Sequence, residues 1–74
     1  MAHEYPTGLK VLRLVGTRRR WSVEFNGRQS GHWGTVDAAA LAASRHATGL
    51  PEWDQSGLYA SADILDWRPT GESL

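Results

Sequence analysis

Three histidines, His3, His32 and His46, are the first residues to examine for chemistry, and their spacing argues against a metal centre. They fall on separate segments, with no second His at i+4 and no cysteine anywhere in the chain, so neither an imidazole pair nor a thiolate set is available to zinc. His32 reads instead as a cross-strand polar residue, and His46 as a partner of a helix C-terminus. Ser44 and His46 stand two apart on a helical segment and face different ways, and no Gly-x-Ser-x-Gly turn occurs, so a nucleophile with its base is not assembled. Asp63 and Asp66 can share one face of a short helix, where such carboxylates are more often solvated or capping groups than an acid/base pair. Gly27, Gly31, Gly34 and Gly49 have turn or cap roles, and none belongs to a phosphate loop ending in Lys-Ser or Lys-Thr. The expectation is a chain that is not an enzyme and uses no metal or cofactor.

The residues left with a chemical claim are cationic. Arg18, Arg19 and Arg20 run directly into Trp21, with Arg13 and Arg28 nearby. Arginines on a twisted ribbon can grip phosphates and read guanine edges in a major groove, and alternation sets Arg18 and Arg20 on one face with Arg19 on the other. Three arginines in a row are also a common solvated strand end.

What must position them is the stretch 17–34, which reads as one β-hairpin. Trp21, Val23 and Phe25 alternate with Ser22, Glu24 and Asn26, and Asn26-Gly27 supplies residues that tolerate positive φ in a tight turn. A two-residue loop pairs Phe25 with Arg28 and Trp21 with His32. A loop one residue longer pairs Phe25 with Gln29 and Trp21 with Trp33. The longer loop is preferred, because it gathers Trp21, Val23, Phe25 and Trp33 on one face and leaves Ser22, Glu24, Ser30 and His32 outside.

At 74 residues the chain is one small domain with an economical core and no disulfide staple, so its four tryptophans must supply much of the buried apolar area. Its zero net charge conceals two unlike halves. Residues 1–34 carry six basic and two acidic side chains, and residues 35–74 carry two basic and six acidic, giving +4 and −4. Either the halves pair internally, or they create a field that steers an anionic partner. No apolar run is long enough to span a bilayer and the start lacks the apolar core of a signal peptide, so a soluble, cytoplasmic protein is expected.

Along the chain, residues 1–8 contain Pro6 and Gly8 without periodicity and read as a loose leader. Leu9 to Val15 reads as a strand ended by Gly16, and Ala38 to Thr48 as a helix with Asp37 or Thr35 at its N-cap and Gly49 beyond its C-terminus. Ala39, Ala42 and Ala43 are expected to face the hairpin, with Leu41 toward the side and partly exposed. Ser61 can cap a short helical turn that Pro69 ends, and residues 70–74 are expected to fray. The fold expected is α+β, a three-stranded antiparallel β-meander packed against one α-helix, with an ordered C-terminal extension.

The order strand, strand, turn, strand, helix, together with the run Arg18 to Phe25 and then His32-Trp33-Gly34-Thr35-Val36-Asp37-Ala38-Ala39, resembles the plant ethylene-response-factor type DNA-binding domain and the related arm-site-binding domain of phage integrases. The likeness covers residues 15–49. It implies that Trp21, Val23, Phe25, Trp33 and Val36 are core and that Glu24, Ser30 and His32 face a DNA groove with an arginine from Arg18 to Arg20. Where that family has arginine and tryptophan on the groove face, this chain has Asn26, Ser30 and His32.

Two functions follow as expectations. The first is a DNA-binding module, of the kind a phage- or plasmid-type regulator carries, using the outer sheet face with Arg13, Arg18, Arg20, Arg28 and His32. The second is a protein-interaction module or homodimer that uses a strand edge or an aromatic patch of Trp53, Tyr59 and Trp67. The tail decides between open and covered: packed around the helix edges, its aromatics leave the outer sheet face free, and folded across the sheet they bury it.

Overall fold

In a computed structural model, which describes residues 2–8, 10–17 and 19–70, the chain forms β1 (Ala2–Pro6), β2 (Val11–Thr17), β3 (Arg20–Phe25), β4 (Arg28–Trp33), α1 (Val36–Ser44), α2 (Pro51–Asp54), a 3-10 turn (Ile64–Asp66) and β5 (Arg68–Pro69). The strands make one antiparallel sheet of five in the order β4-β3-β2-β1-β5, not the expected meander of three. The two extra strands come from the ends of the chain. Register sets His3 and Tyr5 of the supposed leader beside Leu14 and Leu12 on the core side and Ala2, Glu4 and Pro6 on the other, where Ala2 is nevertheless buried and Pro6 closes the strand. It pairs along its whole length with β2, and β5 then adds to its free side through His3 and Glu4. Thr70, expected to fray, donates its amide to the Ala2 carbonyl at 3.0 Å, while residues 71–74 lie outside the described residues.

The hairpin of β3 and β4 has the shorter turn, contrary to expectation. Asn26 and Gly27 take φ values of 56° and 82°, which suit a two-residue turn matched to the twist of the strands, and Phe25 stands opposite Arg28. Trp21 nevertheless pairs with Trp33, because the extra residue sits in a bulge between the Val23–Ser30 and Trp21–Trp33 pairs. Gly31 makes that bulge: its φ is +84°, and a Cβ there would sit 2.1 Å from Cη2 of the Trp33 indole. The Ser22 hydroxyl donates to the Gly31 carbonyl at 3.0 Å and ties the bulge to β3. Ser30 consequently turns inward, toward Gly49, instead of outward as the three-residue loop required.

Thr35 caps α1 by accepting from the Ala38 amide at 3.1 Å. The helix stops at Ser44, four residues short of the expected end, because His46 takes the left-handed conformation (φ 55°) in the place predicted for Gly49. The His46 ring then stacks on Trp53, with centroids 5.1 Å apart, and its Nε2 lies 2.7 Å from the Leu58 carbonyl. Ala39, Ala40 and Ala43 are buried, Ala42 only partly, and Leu41 is 40% exposed. Small side chains let the helix axis lie close over β2, β3 and β4.

After α1, Asp54 organises the connection by accepting from Thr48 N, Thr48 Oγ1 and Gly49 N. Trp53 is fully buried and donates its indole N–H to the Ala43 carbonyl at 2.9 Å. Asp63, not Ser61, caps the 3-10 turn through Leu65 N, and Ser61 instead accepts from Asp63 N and donates to Asp66. The core joins Leu12, Leu14, Trp21, Val23 and Phe25 from one face of the sheet to the helix alanines, Leu50, Trp53, Ala60 and Trp67. Among the described residues no helix is long and apolar enough to cross a membrane.

Candidate functional site

Helix α1, α2 and the tail all pack on the sheet face that carries Leu12, Leu14, Val23 and Phe25, so the other face has no covering layer among the described residues. The open side is set by alternation. In β1 it takes Ala2, Glu4 and Pro6, in β2 Val11, Arg13, Val15 and Thr17, and in β3 Arg20, Ser22 and Glu24.

Strand register aligns these residues into rows across the sheet. The central row reads Arg68, Glu4, Arg13, Glu24 and Gln29, one residue from each of the five strands. Arg13 Nη1 lies 3.1 Å from Glu24 Oε1, and its Nε lies 3.9 Å from Glu4 Oε2. One flanking row holds Ala2, Val15 and Ser22, and the other holds Pro6 and Val11. Val11 is 44% exposed although it is a large apolar residue. The face is therefore a charge-alternating stripe with an exposed apolar border at Pro6 and Val11 and a mixed one at Val15 and Ser22, beside which Ala2 is buried.

The expected DNA-contacting residues do not converge. Arg13 is central on the open face but flanked by carboxylates, and Arg20 lies at its edge, exposed, beside the β2–β3 turn. His32 is exposed on β4, next to the bulge. Arg28 sits opposite Phe25, and its Nε is 3.5 Å from Glu52 Oε1 of α2, which draws it to the covered side. Arg18 lies outside the described residues. Of the alternative set, Trp53 and Trp67 are core residues and cannot reach a partner, whereas Tyr59 is 70% exposed.

Two smaller features complete the surface. Tyr5 touches Trp67 and Tyr59, with centroids 5.2 and 6.1 Å apart, and its hydroxyl titrates above the ordinary tyrosine value because of burial, then Tyr59, then Asp66. At the turn end of the sheet, Lys10, Phe25, Asn26, Glu52, Ser56 and Leu58 line an open depression of about 350 Å³. Asn26 bridges Lys10 and Glu52 there, accepting from Lys10 Nζ at 2.7 Å and donating to Glu52 Oε2 at 3.1 Å. No group of three or more potential metal-binding side chains occurs among the described residues.

Sequence reasoning missed Glu4, Val11 and Arg68 as members of a shared surface. Ala2-His3-Glu4-Tyr5-Pro6 carries no polar/apolar alternation that would have marked Glu4, and the placement of Arg68 depends on pairing across more than sixty residues and leaves no local trace. The chain matches no protein-family model, no curated protein and no solved structure. The likeness to the ethylene-response-factor and integrase arm-binding domains thus rests on the motif residues themselves.

Proposed function

We propose that this chain is a protein-interaction module whose working surface is the uncovered face of its five-stranded sheet. The observation that carries the reading is the pairing of charge on that face. Its central arginine is flanked by Glu4 and Glu24, so the surface offers a balanced stripe bordered by Val11 and Val15 instead of a free cationic comb. A phosphate backbone would have to approach two carboxylates in the middle of its footprint, which opposes the counter-ion release that drives nucleic-acid binding. A protein surface can meet alternating charges with its own and cover the apolar border. Strand edges serve the same role less well: β4 is bulged, and β5 is two residues long and ends in Pro69.

The test is photo-crosslinking in cells from a benzoylphenylalanine placed at Val11, with the same group at Leu41 on α1 as the control. The expected result is a protein adduct of defined mass from position 11 that nuclease treatment leaves intact. A nuclease-sensitive adduct would point to DNA or RNA at this face. An adduct pattern no different from position 41 would remove the face from consideration.

A further inference from the structure

The central row has a symmetry that the interaction reading, on which this inference rests, does not require. From β5 to β3 it runs Arg68, Glu4, Arg13, Glu24, alternating positive and negative, with neutral Gln29 beyond. Such a pattern is antisymmetric about the line midway between β1 and β2. We infer that the occupant of the open face is a second copy of this chain, docked face to face about a two-fold axis parallel to the strands along that line.

The geometry follows from the register alone. A two-fold axis in the plane between two stacked sheets reverses the order of strands but keeps the level along them. Glu4 then faces the partner's Arg13, Arg13 faces the partner's Glu4, and Arg68 and Glu24 face each other in both directions. On the flanks, Pro6 meets the partner's exposed Val11, and Val15 lies over the partner's Ala2, which is only 6% exposed, so the apolar contact is concentrated at Pro6 and Val11. The perpendicular in-plane axis, running along the row, would place each charge on its own like and is disfavoured. Sheets stacked in this way cross at roughly 30°, which keeps the two central Glu4–Arg13 contacts closest.

Area sets the strength of the association. The molecule measures 31 × 22 × 22 Å. A face within those bounds covers at most roughly 700 Å² per copy, toward the lower end of stable interfaces, so a reversible dimer is expected.

The experiment measures solution mass by sedimentation equilibrium from about 1 to 500 μM, a span that brackets reversible self-association. The wild type is expected to pass from the 8.2 kDa monomer to twice that mass. Arg13→Glu sets like charges against the partner's Glu4, and Glu4→Arg sets them against the partner's Arg13. Each single variant is therefore expected to weaken self-association at least ~10-fold. Mixed in equal amounts, the two restore opposite charges at all four positions and are expected to associate with each other. Circular dichroism melting checks that each is folded, and Arg13→Gln with Glu4→Gln, each expected to weaken the dimer, replace any variant that is not. The inference is overturned if the wild type stays monomeric throughout, if both folded variants dimerise as well as the wild type, or if the complementary charge variants, both folded, ignore each other. A monomeric wild type whose position 11 crosslinks to a different protein would end self-pairing and leave the interaction reading standing.

Discussion

Arg13 and Glu24 face each other across β2 and β3, Nη1 to Oε1 at 3.1 Å, in the middle of a sheet face that no other part of the described chain covers. Their side chains are 32% and 23% exposed, so water screens the pair and its contribution to monomer stability is small. Glu24→Gln is predicted to change the unfolding free energy of the dilute chain by less than about 1 kcal/mol in a urea titration. A loss above about 2 kcal/mol would mean that the pair is a fold-holding contact and not a surface feature.

Gly31 and Gly27 both have positive φ, but only Gly31 is crowded. An added Cβ at Gly27 meets nothing within 4 Å, whereas at Gly31 it meets the Trp33 ring at 2.1 Å. Gly27→Ala is predicted to cost about 1 kcal/mol, from backbone conformation alone, and Gly31→Ala at least about 1 kcal/mol more. Equal losses for the two alanine variants in thermal or urea unfolding would place the bulge elsewhere.

Trp53 and Tyr59 separate core from surface among the tail aromatics. Trp53→Ala removes a fully buried side chain and its hydrogen bond to Ala43, at a cost of about 3–5 kcal/mol, and in a chain this small it is predicted to abolish cooperative unfolding. Tyr59→Ala, at a site 70% exposed, is predicted to stay within about 0.5 kcal/mol of the wild type. Near-UV circular dichroism on both variants checks the contrast, and a folded Trp53→Ala would contradict the packing described.

Tyr5 links stability to alkaline pH. Burial, Tyr59 and Asp66 raise its pKa, so the unfolded chain releases this proton first, near pH 10, while the folded chain holds it. The contribution is constant below that pH and declines as pH rises above it. Urea unfolding from about pH 8 to 11 is predicted to show a steeper alkaline loss in the wild type than in Tyr5→Phe. Parallel curves would show that the hydroxyl gains nothing from its folded setting.

The residues that were legible in the sequence are those whose partners are near. Trp21, Val23 and Phe25 announce one buried face by period, Asn26-Gly27 announces a turn, and the alanine run announces a helix capped by Asp37 or Thr35, of which the structure has Thr35. The open face was visible only as a condition on where the tail packs, and the tail's indoles resolve it by joining the core with the helix alanines, Trp53 bonding directly to the Ala43 carbonyl. The bulge at Gly31 was not legible, because two-residue and three-residue loops both satisfy the turn chemistry and the choice rests on how Trp33 packs. Strands β1 and β5 were hidden for a different reason. Each is short and contains proline, and each gains its hydrogen bonds only from a neighbour that the fold supplies.

Methyl NMR tests the central claim most directly, because Val11 and Val15 report the open face while Val23 reports the core. With valine methyls labelled, raising the chain's own concentration is predicted to shift Val11 and Val15 toward a saturating limit and leave Val23 in place, and a DNA duplex added to the dilute chain is predicted to move none of them. Val11 and Val15 signals that stay fixed at every chain concentration, and that move when the duplex is added, would contradict the account.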